Sequence, residues 1–180
     1  FVKPSNLGSS VGISKVHDAS ELPMAMAHAG QHDRKIVIEK GIVGRELEVS
    51  VLGNDEPVAS VVGEVIPGGE FYDYEAKYVD DDSELLIPAP ISDDISQQIR
   101  GIAMRAFRVL DGAGMARVDF FLEEGTDRVL LNEVNTIPGF TAISMYPKLW
   151  EASGLTLSDL VSRLVELAIE RHDERHGGAS

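Results

Sequence analysis

Cysteine is absent from the 180 residues, which excludes disulfides and thiolate chemistry and fits a reducing cytosol. Positive charge is scarce: 16 Lys and Arg stand against 30 Asp and Glu, a formal net charge of −14, and the cations form no run. Neither nucleic acid nor an anionic membrane is therefore an expected partner. No apolar stretch approaches the ~18 residues of a membrane-spanning helix. The histidines (His17, His28, His32, His172 and His176) fall on expected turns, helix surface or tail, and none is spaced with a second transition-metal ligand. No histidine neighbours Ser9 or Ser144, so a hydrolase nucleophile is not expected. What is present is 43% hydrophobic content, enough to bury the core of one domain or two small ones.

Periodicity gives an α+β order. Residues 1–3, 11–16 and 35–39 read as strands, and 20–30 as a helix with Pro23 tolerated in its first turn. Residues 46–52 and 58–65 form a hairpin across Gly-Asn-Asp-Glu. The stretch 66–84 lacks a period but carries aromatics, the mark of a lid or binding loop. A helix begins at Ser92, with acids in its first turn and Ile95, Ile99, Ile102, Ala103, Ala106, Phe107 and Leu110 on one face. A second spans 156–170, with Leu157, Leu160, Val161, Leu164, Val165 and Ala168 inward, and 173–180 is a fraying tail. A seam near 41–45 divides residues 1–43 from 44–172. Because the chain opens on Phe1 inside an expected strand, it reads as part of a longer polypeptide.

The most informative segment is Val-Leu-Leu-Asn-Glu-Val-Asn-Thr-Ile-Pro-Gly, residues 129–139. Strand side chains alternate faces, so Glu133 and Asn135 project together with oxygens suited to a hard cation. Asp119 lies in a second strand-like run, 115–122, joined by Glu-Glu-Gly-Thr-Asp, a hairpin connection that brings it beside Glu133. Such a set has too few oxygens to fill an octahedron, which is how Mg²⁺ is held when phosphate and water complete its shell. Any one of these residues alone reads as the solvated face of a hairpin; taken with the loop at the start of the chain, they read as a site. Near the start, Lys3 and the Gly/Ser-rich residues 5–12 offer backbone N–H groups, hydroxyls and a point charge to a phosphate. No Gly-Lys-Ser/Thr follows, so this is not a P-loop.

Five pieces in order resemble the C-terminal part of the D-alanine–D-alanine ligase family, ATP-grasp enzymes of peptidoglycan synthesis. They are Val-Lys-Pro-Ser-Asn-Leu-Gly-Ser-Ser-Val-Gly, Ile-Glu-Lys followed by Gly-Arg-Glu-Leu, Phe-Tyr-Asp-Tyr-Glu-Ala-Lys-Tyr, Ala-Arg-Val-Asp, and Asn-Glu-Val-Asn-Thr-Ile-Pro-Gly-Phe-Thr-Ala-Ile-Ser-Met-Tyr-Pro. The resemblance implies an ATP-grasp fold of antiparallel sheets flanked by helices, its N-terminal domain absent here, with residues 1–43 belonging to the central subdomain and 44–172 to the C-terminal catalytic one.

The same resemblance implies roles. Lys3 contacts ATP phosphates, Glu39 and Ile42 lie at the adenine hinge, Glu46 accepts ribose hydroxyls, and Lys77 and Asn132 complete the ATP set. Asp119, Glu133 and Asn135 hold two Mg²⁺ ions, with Mn²⁺ an alternative. The family phosphorylates one D-alanine carboxylate, and the amine of a second D-alanine attacks the acyl phosphate. Arg117 and the backbone N–H of Gly139 stabilise the oxyanion, while Ser144 and the backbone of Met145 grip the second D-alanine. Ser9 and Tyr78 link the glycine-rich loop to the 66–84 lid, and the Lys77-Tyr78 pattern favours D-alanine over D-lactate as acceptor. A homodimer is implied as well. Three alternatives stay open: a D-alanine–D-lactate ligase, another ATP-grasp carboxylate–amine ligase, and an inactive nucleotide-binding fragment.

Overall fold

The computed structural model describes residues 1–7, 10–66, 84–141 and 143–176. They group into two compact units, one built on Phe1–Val43 and one on Gly44–Ile66 and Leu85–Ser180.

In the first unit, β1 (Val2–Pro4) pairs antiparallel with β2 (Ile36–Ile38), Lys3 opposite Val37. Helix α1 (Leu22–Ala29) carries Pro23 in its first turn, where no N–H is needed. It packs Ala25 and Ala29 on Val2, with Val16, Leu22 and Ile36 around them. The strand expected over 11–16 is reduced to one bridge, Ser14 to Val2. Ser10 (φ 60°) and Gly12 (φ 75°) turn the backbone into the left-handed region, which ends extended pairing there. Gly12 is also sterically required, since a Cβ would come within 2.6 Å of the His32 ring.

The second unit is a five-stranded sheet built from β3 (Gly44–Gly53), β4 (Val58–Ile66), β5 (Glu84–Leu86), β6 (Gly114–Glu123) and β7 (Arg128–Asn135). Its order is β5-β4-β3-β6-β7, with β4, β3, β6 and β7 antiparallel to their neighbours in that run. Helix α2 (Asp93–Val109) starts at Ser92, whose hydroxyl accepts from Ile95 N–H at 3.3 Å. Its Ile99, Ala103 and Phe107 pack on Leu47, Val49, Val51, Ala116, Val118 and Phe120, the inward alternates of β3 and β6. The opposite sheet face is split. One end is apolar, where Leu52 meets Tyr146, Trp150, Leu160 and Leu167 of α3 (Met145–Ala152) and α4 (Leu157–His176). The other end carries charge and forms the site below.

Several sequence expectations are corrected. Helix α3 was not expected, because Pro147 and its eight-residue length disguise it as a loop, yet Pro147 sits in the first turn. Helix α4 runs to His176 instead of ending near 170, its polar end laced by Arg171–Glu174 at 3.5 Å and Arg163–Glu170 at 3.0 Å. On α4 only Leu160 and Leu167 are buried, while Leu157, Val161 and Val165 are 54, 45 and 56% exposed. The apolar arc is wider than the single row that meets the sheet. Leu110, expected in the core, is exposed just past α2. The expected lid falls largely on residues outside the described ones.

Arg45 clamps Glu64 of the neighbouring strand β4 through two 2.7 Å bonds, and its guanidinium also donates to Pro90 C=O at 3.1 Å. Glu64 is 8% exposed as a side chain and Arg45 38%, so the carboxylate is the member that cannot escape to water. Arg45→Ala is expected to lower unfolding free energy by about 2–4 kcal/mol, since it strands a buried charge. Urea titration checks this, and Arg45→Lys should recover only part because a point charge cannot make both bonds.

Candidate active site

The β6–β7 hairpin sets Asp119 opposite Glu133 and Arg117 opposite Asn135, while β3 on the other side sets Glu48 opposite Asp119. Alternation does the rest: Glu46 and Glu48, Arg117 and Asp119, Glu133 and Asn135 share one face. A bulge opposite the Asp119–Phe120 step leaves Asn132 of β7 without a facing residue in β6. That extra residue switches the parity of the strand, so Val129 and Val134 both join the α2-side core while Glu133 turns to the charged face.

Arg117 is the hub. Its Nε donates to Asp119 Oδ1 at 2.7 Å and Nη2 donates to Oδ2 at 2.8 Å, a two-point clamp. Glu48 Oε2 lies 3.0 Å from the same Nε. Asn135 Nδ2 bridges the carboxylates, donating to Asp119 Oδ2 at 3.0 Å and to Glu133 Oε1 at 3.3 Å. Burial alone would depress the guanidinium pKa. The hydrogen bond to Asp119 and the attraction of Glu48, Asp119 and Glu133 outweigh it and hold the pKa above its ordinary value, so Arg117 is a permanent cation.

Four carboxylates (Glu46, Glu48, Asp119 and Glu133) thus share a face with one guanidinium. Among the described residues no three His, Cys, Asp or Glu side chains converge as a ready-made metal cluster. The donor set is instead two carboxylates and an amide, all hard oxygens once the Asn135 amide turns over, and the surplus of negative charge suits a divalent cation. Asp119 is 9% exposed, and Glu133 is open to solvent.

The β7–α3 loop brings Gly139, Thr141 and Ser144 together. Ser144 sits at the N-cap of α3 without capping it. Its Oγ accepts from Thr141 N–H at 2.9 Å and lies 2.8 Å from Thr141 Oγ1. A Cβ on Gly139 would fall 3.0 Å from the same oxygen. Met145 itself is buried, and α3 is anchored below by Tyr146, whose hydroxyl donates to Val51 C=O at 3.0 Å and whose phenol burial pushes up in pKa. Gly63 of β4 leaves room for α3, since a Cβ there would meet Leu149 at 2.8 Å. Gly63→Val is accordingly expected to cost about 1–3 kcal/mol by overpacking, read by thermal unfolding.

In the first unit Lys3 Nζ pairs with Glu39 Oε1 at 2.6 Å. Glu39 N–H also donates to Phe1 C=O, which continues the β1–β2 ladder to the residue ahead of the 39–43 connection that carries Ile42. Lys3 and Glu39 are thus together, as are Arg117, Asp119, Glu133 and Asn135, and as are Gly139, Ser144 and Met145. Glu46 follows Glu48 along its face, and Asn132 occupies the bulge. Ser9, Lys77 and Tyr78 lie outside the described residues. Sequence reading missed Glu48 and Thr141. The signal for the former was present, since Glu46 and Glu48 alternate with the apolar Leu47 and Val49 along β3 and so mark a charged face.

Residues 1–166 match the family described as D-ala D-ala ligase C-terminus. The chain belongs to the D-alanine–D-alanine ligase C-terminal family. Among relatives of this family, the D-alanine–D-alanine ligase of Acetivibrio thermocellus is 55% identical over 97% of the chain and 46% of its own length. Of solved structures, the D-alanine–D-alanine ligase from Coxiella burnetii superposes with a TM-score of 0.87 at 43% identity, covering 98% of this chain and 47% of that one. The VanG D-Ala:D-Ser ligase from Enterococcus faecalis follows with 0.83 at 37% identity, covering 93% and 48%. The chain therefore spans about half the length of the curated relatives it matches, and the expected ATP-grasp architecture of antiparallel sheets flanked by helices is the one this family shares. None of the helices among the described residues is long and apolar enough to cross a membrane.

Proposed function

We propose that this chain is the phosphoryl- and acyl-transfer part of an ATP-dependent ligase that joins two D-alanines through an acyl phosphate, for peptidoglycan precursor synthesis in the cytoplasm. The observation that carries this reading is the shared face of Arg117, Asp119, Glu133 and Asn135 in a chain of this family. Two Mg²⁺ or Mn²⁺ ions held by Asp119, Glu133 and Asn135 would neutralise charge on the transferring γ-phosphoryl group. Lys3 and Lys77 take phosphate oxygens, the Glu39–Ile42 segment reads adenine, Glu46 accepts the ribose hydroxyls, and Asn132 adds a polar contact.

The remaining steps fall to this chain's own groups. Arg117, cationic at any working pH, faces the oxyanion that forms when the amine of the second D-alanine attacks, and Gly139 N–H supplies a second donor. Ser144 Oγ and the Met145 N–H at the start of α3 hold the carboxylate of that D-alanine. Ser9 and Tyr78 tie the glycine-rich loop to the 66–84 lid, which excludes water from an acyl phosphate prone to hydrolysis. The first D-alanine's ammonium is bound by the rest of the polypeptide, which works as a homodimer.

Ser144→Ala is expected to raise KM for the acceptor D-alanine about tenfold or more, with KM for ATP little changed, since it removes one hydrogen bond to a charged group. The full-length polypeptide carrying this chain, given ATP, Mg²⁺ and D-alanine, should yield D-alanyl-D-alanine by mass spectrometry. A second reading, favoured by the likeness to the D-Ala:D-Ser ligase, is that D-serine or D-lactate replaces the acceptor; a mixed product from an equimolar mixture would establish it. ATP turnover indifferent to every D-amino acid would refute both.

A further inference from the structure

Arg117 and Asp119 have duties that conflict. As a metal ligand, Asp119 must turn an oxygen to the cation, yet both its oxygens are taken by Arg117, at 2.7 and 2.8 Å, and one of them also by Asn135. A cation arriving there withdraws at least one acceptor from the guanidinium. A partly buried arginine on a four-bond stem, released by its partner, would lose the orientation that oxyanion stabilisation depends on.

A second acceptor is already in place. Glu48 is the cross-strand partner of Asp119, its side chain is 13% exposed, and its Oε2 lies 3.0 Å from Arg117 Nε. That nitrogen carries one hydrogen, which points to Asp119 Oδ1 at 2.7 Å. One donor therefore stands between two carboxylates, hydrogen-bonded to the first and ion-paired with the second. A small rotation of the guanidinium moves the N–H from Asp119 to Glu48 without lifting Arg117 from its seat. Glu48 also stays beside Arg117 in both arrangements, so the guanidinium is never left unpaired.

We propose that Glu48 is a positioning residue that takes over the Arg117 Nε–H when Asp119 turns to a divalent cation, and so keeps the guanidinium aimed at the reacting acyl group. The proposal rests on the metal and oxyanion roles given above to Asp119 and Arg117. It concerns a hand-over in which no covalent bond is made or broken. Its signature is conditional: without cation Asp119 accepts the Arg117 Nε–H, and with cation Glu48 does.

The test uses the full-length polypeptide with ¹⁵N-labelled arginine, comparing Glu48→Ala and Glu48→Gln with the parent. In the parent, the slowly exchanging Arg117 Nε–H resonance should persist with and without Mg²⁺ plus a non-hydrolysable ATP analogue, shifting as it changes acceptor. In Glu48→Ala it should persist without Mg²⁺ and exchange at least roughly tenfold faster with it; Glu48→Gln, which keeps a neutral acceptor, should lie between. Turnover number should fall by roughly tenfold in Glu48→Ala while KM for ATP moves less than about threefold. Equal Nε–H protection in parent and Glu48→Ala under Mg²⁺ would overturn the hand-over. Loss of protection in Glu48→Ala without Mg²⁺ would overturn it too, by showing that Glu48 merely props Arg117 at all times. If the parent resonance ignores Mg²⁺ altogether, or the parent makes no dipeptide, the underlying site reading fails instead.

Discussion

Arg117→Ala is expected to reduce turnover of the full-length polypeptide by roughly 10²–10³-fold at saturating ATP and D-alanine, the loss typical of one oxyanion donor. KM for ATP should change little, because the nucleotide contacts proposed above do not include Arg117. The same substitution should lower stability. Asp119 at 9% exposure and Glu48 at 13% as a side chain would face each other across the ladder without the cation that separates them. Leaving such charges uncompensated costs about 3 kcal/mol, and added Mg²⁺ should restore part of it by occupying Asp119. Steady-state kinetics and thermal unfolding with and without Mg²⁺ separate the two effects. Arg117→Lys should recover stability better than turnover, since an ammonium supplies the charge without the planar fork. Normal turnover in Arg117→Ala would remove it from the chemistry.

Glu133→Gln should act on the Mg²⁺ requirement and not on folding: the midpoint of the metal titration of activity should rise at least roughly tenfold while stability is nearly untouched. Glu133 is exposed, and its one described bond, from Asn135 at 3.3 Å, is weak and can be kept by an amide oxygen. Asp119→Asn should differ, losing metal affinity and stability together, because Asp119 also neutralises Arg117. A Mg²⁺ midpoint unchanged in Glu133→Gln would take it out of the metal set.

Much of this face is legible from spacing alone. Period-2 alternation in two strands joined by a five-residue connection brings Arg117, Asp119, Glu133 and Asn135 to one side, and the register confirms the facing of Asp119 and Glu133. The bulge at Asn132 was not legible, because nothing in Leu-Leu-Asn-Glu distinguishes a regular strand from one that admits an extra residue. Yet the bulge lets Val129 and Val134 both reach the core. Helix α3 escaped notice because its burial is set by contacts distant in sequence, Ser50 Oγ to Tyr146 C=O at 3.2 Å and Val61 N–H to Ser153 Oγ at 2.9 Å. The wide apolar arc of α4 suggested more burial than one row provides, for the same reason: periodicity names a face but not how much of it is covered. Pairings such as Lys3 with Glu39 depend on two strands meeting, which a local reading of either strand does not contain.

The central claim is that the Arg117–Asp119–Glu133–Asn135 face serves transfer of a phosphoryl group to a carboxylate, followed by attack of an amine on the acyl phosphate. The most direct measurement supplies the full-length polypeptide with D-alanine labelled with ¹⁸O in its carboxylate and follows the label into released phosphate by mass spectrometry. Attack on an acyl phosphate expels phosphate with one carboxylate oxygen, so one ¹⁸O per phosphate, formed in step with dipeptide and ADP, is the predicted result. Unlabelled phosphate alongside dipeptide, or label in AMP, would contradict it.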